Sequence, residues 1–96
     1  MTVVSGESIA DEVRKAVADY GRLSVPIAQV ANDDDLYAAG MTSHATVAMM
    51  FALEEAFGLE FPEHLLRQST FQSVNAITEA LSSLVEDKRA AELGQR

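Results

Sequence analysis

The chain has 96 residues, 48% of them hydrophobic and 23% charged, which is enough for one domain with a modest core. It contains no cysteine, so disulfides, thiolate metal sites and cysteine nucleophiles are excluded. The formal net charge of −8 argues against nucleic acid as a partner, because phosphates attract basic surfaces. No apolar segment approaches the roughly 20 residues that a membrane-spanning helix needs.

The first residues of the chain, 1–6, lack the basic flank and apolar stretch of a signal peptide. We therefore expect a cytoplasmic protein. We also expect a monomer that binds neither nucleic acid nor membrane.

The first helix is indicated by apolar residues at helical spacing, with Gly21 as its stop. Those residues are Ile9, Val13, Ala16, Val17 and Tyr20. From Arg22 to Thr42 no period survives, and we interpret this segment as a long ordered loop. A connection of this length is uncommon in a compact domain unless it is functional or packs on the core.

The second helix is predicted from about Ser43 to Phe57, with Gly58 as a left-handed C-terminal cap. Five residues share the arc expected to face the core: Thr46, Met49, Met50, Leu53 and Phe57. The opposite arc carries Val47 and Phe51 beside glutamates. This helix is therefore either buried nearly all round or exposes an apolar strip.

A short third helix is expected from Glu63 to Gln68, after Pro62, with Leu65 and Leu66 turned inward. A cap at Ser69 or Thr70 would precede a fourth helix. That helix is marked by Val74, Ile77, Leu81 and Leu84.

Together these patterns predict an all-α fold, a small four-helix bundle with three longer helices, one short helix and a long loop between helices 1 and 2. Residues 1–86 form the predicted single domain, and 87–96 a polar C-terminal tail that frays.

The charges are unevenly distributed. No Lys or Arg lies between Leu23 and Leu66, a stretch that holds seven acidic residues: Asp33, Asp34, Asp35, Glu54, Glu55, Glu60 and Glu63. This stretch is either an ordinary solvated surface or a docking surface that attracts basic partners over long range.

The residues that open the second helix are Gly40, Met41, Thr42, Ser43 and His44. Taken alone, a serine in this place is most often only a helix cap. The wider pattern, from the first helix to Leu84, resembles the acyl carrier protein family. The matching positions are Asp34, Asp35 and Leu36, Gly40 and Ser43, Thr46 and Val47, residues 52–57, Phe61 and Pro62, and Thr70 and Phe71.

This resemblance implies a covalent modification of Ser43. In the family, a phosphopantetheinyl transferase uses coenzyme A and magnesium to attach a 4'-phosphopantetheine arm to the serine at this position. Cargo is then held on the thiol of the arm as a thioester, so the chain would be a carrier and not an enzyme. A helix N-terminus suits the added phosphodiester, because its unpaired N–H groups and dipole stabilise a negative charge by about 0.3–1 kcal/mol.

The second helix is also expected to present a surface to partner enzymes with basic docking surfaces. The predicted partner-interface residues are Met41, Thr42, His44, Val47, Phe51, Glu54 and Glu55. The alternative is that Val47 and Phe51 only pack under the long loop.

The neighbours of Ser43 are Thr42 and His44, where the family usually has aspartate and leucine, and Ala48 stands where an acidic residue is common. Residues 39–43 and 45–47 resemble instead the free-standing aminoacyl carrier proteins. This resemblance implies a ligase, similar to truncated class II aminoacyl-tRNA synthetases, that activates a small amino acid with ATP before the thiol displaces AMP. Acyl or peptidyl carriers for fatty-acid, polyketide or nonribosomal peptide enzymes are alternatives, as is a helical adaptor that is never modified.

Two other classes fit the sequence poorly. A serine hydrolase needs a base within reach of Ser43, but the adjacent His44 would point about 100° away on a helix. A calcium loop beginning at Asp33 would need glycine and glutamate where the chain has Ala38 and His44. Asp34 or Asp35 is instead expected to cap a turn leading into Leu36.

Overall fold

The computed structural model describes residues 6–94, with side chains from Ile9 onward, and in this range the fold is all-helical. Three α-helices are present: α1, Gly6–Tyr20; α2, Ser43–Phe57; and α3, Val74–Leu93. Short 3-10 turns lie between them at Ile27–Gln29, Glu63–Leu65 and Gln68–Phe71. The prediction of an all-α fold is confirmed. None of the helices within 6–94 combines the length and apolar character needed to cross a membrane.

The core forms where α1 packs against both α2 and α3. Each helix contributes a pair of fully buried residues four positions apart, as one helical face requires. These pairs are Val13 and Val17, Met49 and Leu53, and Ile77 and Leu81. Phe61 and Phe71, whose rings are 5.3 Å apart, close the core beside the 3-10 turns.

The long connection between α1 and α2 is ordered because it packs on the core. Val30, Leu36 and Met41 are buried, and the Leu36 N–H donates to the Gln72 carbonyl at 2.7 Å. The expected aspartate cap of a turn before Leu36 is formed by Asp34, whose Oδ2 accepts the N–H of Ala31 at 2.8 Å. Asp35 Oδ1 instead accepts the N–H of Tyr37 at 2.9 Å, in the turn that begins at Leu36.

Arg14 ties this connection to α1. Its guanidinium donates to the carbonyl of Val30 at 3.0 Å, the carbonyl of Ile27 at 2.7 Å and Oδ1 of Asn32 at 2.7 Å. One cation therefore satisfies three acceptors in a connection that contains one 3-10 helix and no α-helix.

The predicted short helix at Glu63–Gln68 is not confirmed. Glu63–Leu65 form one 3-10 turn, after which Leu66 and Arg67 leave helical backbone angles, and Leu66 is 51% exposed rather than turned inward. Gln68–Phe71 then form a second turn that contains both predicted cap residues. The cap of α3 is Ser73, whose Oγ accepts the N–H of Ala76 at 3.0 Å.

The third helix continues beyond residue 86 to Leu93, and all described residues from Glu86 onward are exposed. Within residues 86–94, one side-chain hydrogen bond reaches the rest of the fold: Lys88 Nζ donates to the Gly58 carbonyl at 2.7 Å. The division of the chain at residue 86 stays a prediction, and residues 95 and 96 lie outside the described residues.

Candidate functional site

The N-terminus of α2 is capped by Thr42 and not by Ser43. Thr42 has an extended backbone, and its Oγ1 accepts the N–H of Ala45 at 3.0 Å. Ser43 is therefore the first helical residue, with an exposed side chain. Among the described residues, no hydrogen bond involves its hydroxyl. The simple explanation of this serine as a helix cap does not hold.

Gly40 sets the approach to this helix end. It has φ +115°, a region open to glycine but costly for other residues. A Cβ at this position would lie 2.5 Å from Ser24 Oγ and 2.9 Å from Ser24 N. The backbone of the first loop passes directly against Gly40, and the Ser24 N–H donates to the Ala39 carbonyl at 2.8 Å. A glycine is therefore needed three residues before Ser43.

Ser43 is one of the residues that line a groove of about 290 Å³ between α2 and the 3-10 turns. Its walls are largely apolar, with polar groups at intervals. They are formed by Tyr37, Ser43, Thr46, Val47, Met50, Leu66, Arg67, Gln68 and Phe71. Thr46 Oγ1 donates to the Thr42 carbonyl at 2.8 Å and lies 3.4 Å from the Tyr37 hydroxyl. Thr46 and Tyr37 therefore connect the start of α2 to the long loop, which forms part of the groove wall.

Ser43 is predictable from the sequence, but the opposite wall of the groove is not. Leu66, Arg67 and Gln68 were assigned to a short helix, and no local motif relates them to Ser43. They reach it only because the chain turns back after α2 and passes beside the helix start.

The opposite arc of α2 exposes an apolar strip. Val47 is 46% exposed and Phe51 is 58% exposed, so neither packs under the long loop. Ser43, Val47 and Phe51 follow one another at intervals of four residues and so lie along one line of the helix. We call Val47 and Phe51 the apolar strip.

Five other residues were predicted to lie at the partner interface. Three of them are exposed, and two are not. Thr42, His44 and Glu55 are exposed. Met41 is a correction: it is only 3% exposed, because the Gly40 turn directs it into the core with Leu36. Glu54 is half-buried, and its Oε2 accepts the Phe61 N–H at 2.9 Å. One of its carboxylate oxygens therefore holds the chain after α2.

The geometry at Ser43 suits a covalently attached anionic group. The hydroxyl is exposed and free of the capping role, and it stands at a helix end where the first backbone N–H groups have no partner within the helix. Ser43 also lines a groove that has both apolar and polar walls. A phosphodiester followed by an amide-containing arm therefore fits the residues present. Within residues 6–94, no group of three or more His, Asp or Glu side chains is placed to hold a metal ion.

Comparison with protein families finds that residues 11–81 match the model described as "Phosphopantetheine attachment site". The chain is also similar to a curated relative, an aminoacyl carrier protein of Agrobacterium fabrum (strain C58 / ATCC 33970). The two are 40% identical over 79 residues, which cover 82% of this chain and 95% of the relative.

Solved structures are also similar to this chain. A carrier protein from Agrobacterium tumefaciens was crystallised with AMP and an engineered glycine:[carrier protein] ligase from Bradyrhizobium japonicum. It matches with a TM-score of 0.74 and 40% identity, covering 76% of this chain and 97% of the other. A solution structure of an Agrobacterium tumefaciens protein matches with a TM-score of 0.69 and 38% identity, covering 84% of this chain and 98% of the other.

Proposed function

Because the chain belongs to the family of carrier proteins with a phosphopantetheine attachment site, we propose that Ser43 bears the arm and that the cargo is an aminoacyl group. The observation that carries the choice of residue is the exposed Ser43 hydroxyl, which Thr42 relieves of capping the helix. When bound, the arm supplies the thiol on which cargo is held as a thioester, which a chain without cysteine cannot supply itself.

The residues around Ser43 would bind and orient this arm rather than carry out chemistry. The start of α2 stabilises the negative phosphodiester through its dipole and unpaired N–H groups. The groove offers apolar contact from Val47 and Phe71 and hydrogen-bonding groups from Tyr37 and Gln68. Partner enzymes would carry out every chemical step.

We further propose that an ATP-dependent amino acid:carrier protein ligase loads the cargo. The carrier proteins similar to this chain include one crystallised with a glycine:[carrier protein] ligase, so glycine is the first amino acid to test. The proposed setting is the cytoplasm, where ATP is available to such a ligase. A phosphopantetheinyl transferase and downstream transfer enzymes complete the proposed partners.

The proposed docking surface for these partners combines the apolar strip with exposed Thr42, His44 and Glu55. The absence of Lys and Arg between Leu23 and Leu66 makes this part of the chain acidic. Long-range attraction would then raise association rates with basic enzymes, and added salt would lower them. In the proposed carrier, the 3-10 turns at 63–65 and 68–71 take the place of the short third helix predicted at Glu63–Gln68.

Mass spectrometry tests the modification. The apo protein is incubated with coenzyme A, magnesium and a phosphopantetheinyl transferase of broad specificity, and we expect a mass gain of one arm. Ser43→Ala should show no gain, whereas Ser69→Ala, which removes another exposed serine hydroxyl, should gain one arm. A wild-type protein that stays unmodified would point to the unmodified adaptor.

A second experiment tests the cargo. The modified protein is offered the ligase, ATP and single amino acids or fatty acids, and the thioester is identified by its mass and its release by hydroxylamine. We expect loading with a small amino acid. Loading with acyl chains alone would replace the aminoacyl proposal with an acyl carrier.

A further inference from the structure

One cationic side chain shares the groove with the attachment serine. Arg67 and Ser43 both line it, Arg67 from the segment between the two 3-10 turns and Ser43 from the start of α2. Arg67 is exposed, and it also lines a neighbouring groove with His64 and Leu65.

The other described cations are placed elsewhere. Arg14 is occupied by its three acceptors near the first loop, and Lys88 is bound to Gly58 at the far end of α2. Lys15 lies beside Ala52 and Ala56, in the half of α2 remote from Ser43. Arg22 lies beside Val17 and Pro26, and Arg89 lies on the exposed part of α3. Within residues 6–94, Arg67 is therefore the one base that lines this groove.

The position of Arg67 is set by its surroundings. Its Nε donates to the His64 carbonyl at 3.1 Å, and its own carbonyl accepts the N–H of buried Thr70 at 3.2 Å. The two terminal NH₂ groups make no hydrogen bond in the part of the chain that the structure describes. Arginine can offer such paired donors to two oxygens of one phosphate.

Resting on the proposed function, we infer that Arg67 is a positioning residue for the arm on Ser43. Its guanidinium pairs with the phosphodiester within the groove that both residues line and so directs the arm along the wall that contains Gln68 and Phe71. The phosphodiester brings a negative charge to the part of the chain between Leu23 and Leu66, which has no Lys or Arg. The Arg67 cation complements that charge. The docked arm is then held near the start of α2, where partner enzymes would approach.

Nuclear magnetic resonance can test this role without any loading enzyme. Amide chemical shifts are compared between the apo and modified forms of wild type, Arg67→Ala, Arg67→Lys and Arg89→Ala. The last is a control that removes the same charge from an exposed site on α3. We expect the modification to shift the amides of Gln68 and Phe71 in wild type and in Arg89→Ala. These shift changes should fall by about 1.5- to 5-fold in Arg67→Ala, as expected for loss of an exposed ion pair, and less in Arg67→Lys.

Ionic strength gives an independent measurement on the unsubstituted protein. Raising the salt from about 20 mM to about 0.5 M should reduce the modification-induced shifts in wild type, because the pairing is screened. The same salt change should have little effect in Arg67→Ala. The ³¹P resonance of the phosphodiester should also differ between wild type and Arg67→Ala and not between wild type and Arg89→Ala.

The outcomes separate the two claims. If mass spectrometry shows that no variant gains an arm, the proposed function fails and this inference fails with it. If the arm is attached but the Gln68 and Phe71 shifts are equal in Arg67→Ala and Arg89→Ala, only the role of Arg67 is overturned. If Arg67→Ala does not fold, salt-independent shifts in wild type would overturn that role equally.

Discussion

Thr42 caps α2 through its side chain, with Oγ1 accepting the Ala45 N–H at 3.0 Å, and so leaves Ser43 beside it with a hydroxyl that the fold does not use. The two adjacent hydroxyl residues therefore have separate tasks. One stabilises the helix, and the other is available for modification at the same helix end. An added group on Ser43 would cost no capping hydrogen bond.

This separation predicts opposite results for two neighbouring substitutions. Thr42→Ala removes the cap and should lower the free energy of unfolding by about 0.5–2 kcal/mol. Ser43→Ala should change it by less than about 0.5 kcal/mol, because its hydroxyl has no partner among the described residues. Thermal or denaturant unfolding of the unmodified proteins measures both. Equal destabilisation by the two substitutions would show that Ser43 contributes to the cap.

Gly40→Ala is predicted to disturb the approach to Ser43. Alanine would have to adopt φ +115° and place its Cβ 2.9 Å from Ser24 N, so the loop backbone must move. We expect a loss of about 1–3 kcal/mol in the free energy of unfolding. Gly94→Ala is the matched control, since Gly94 has φ −81° at the exposed end of α3 and should be nearly neutral. Similar unfolding curves for the two variants would contradict the role of Gly40.

The sequence was sufficient for the parts of the fold that depend on local patterns. α2 begins at Ser43 and ends at Phe57 as predicted, and Gly58 has the left-handed conformation expected of its cap, with φ +64°. These features are predictable because helical periodicity and glycine caps act over a few neighbouring residues. The same is true of Asp34, whose side chain accepts the Ala31 N–H in the turn that precedes Leu36.

Features that depend on tertiary contacts were not predictable in this way. Leu66 has the apolar character of a core residue, yet the chain leaves helical angles there and exposes it beside α2. Met41 lies next to the serine motif and was expected at the surface, but the turn at Gly40 buries it. The presence of Ser43 and Arg67 in the lining of one groove likewise has no signal in the sequence.

Arg14 is predicted to stabilise the protein, through the long loop, more than its exposed neighbour Lys15 does. Arg14→Ala removes three hydrogen bonds and leaves the Val30 carbonyl without its donor, whereas the Ile27 carbonyl keeps the Val30 N–H at 2.9 Å. We expect a loss of about 1.5–3 kcal/mol, with faster amide hydrogen exchange in the loop. Lys15→Ala makes the same charge change at an exposed position and should cost less than about 0.5 kcal/mol. Arg14→Lys should recover only part of the loss, because an ammonium cannot reproduce the planar fork.

The apolar strip is predicted to affect partner binding without affecting stability. Phe51 is 58% exposed, so Phe51→Ser should leave the unfolding temperature nearly unchanged. If the strip docks on the ligase, the same substitution should lower kcat/KM for loading by about 10-fold or more, mainly through KM, as for an aromatic residue at the centre of an interface. Leu93→Ser is the matched control, because Leu93 is 60% exposed and lies at the far end of α3. Loading kinetics that are equally impaired by both substitutions, or by neither, would place the docking surface elsewhere on the protein.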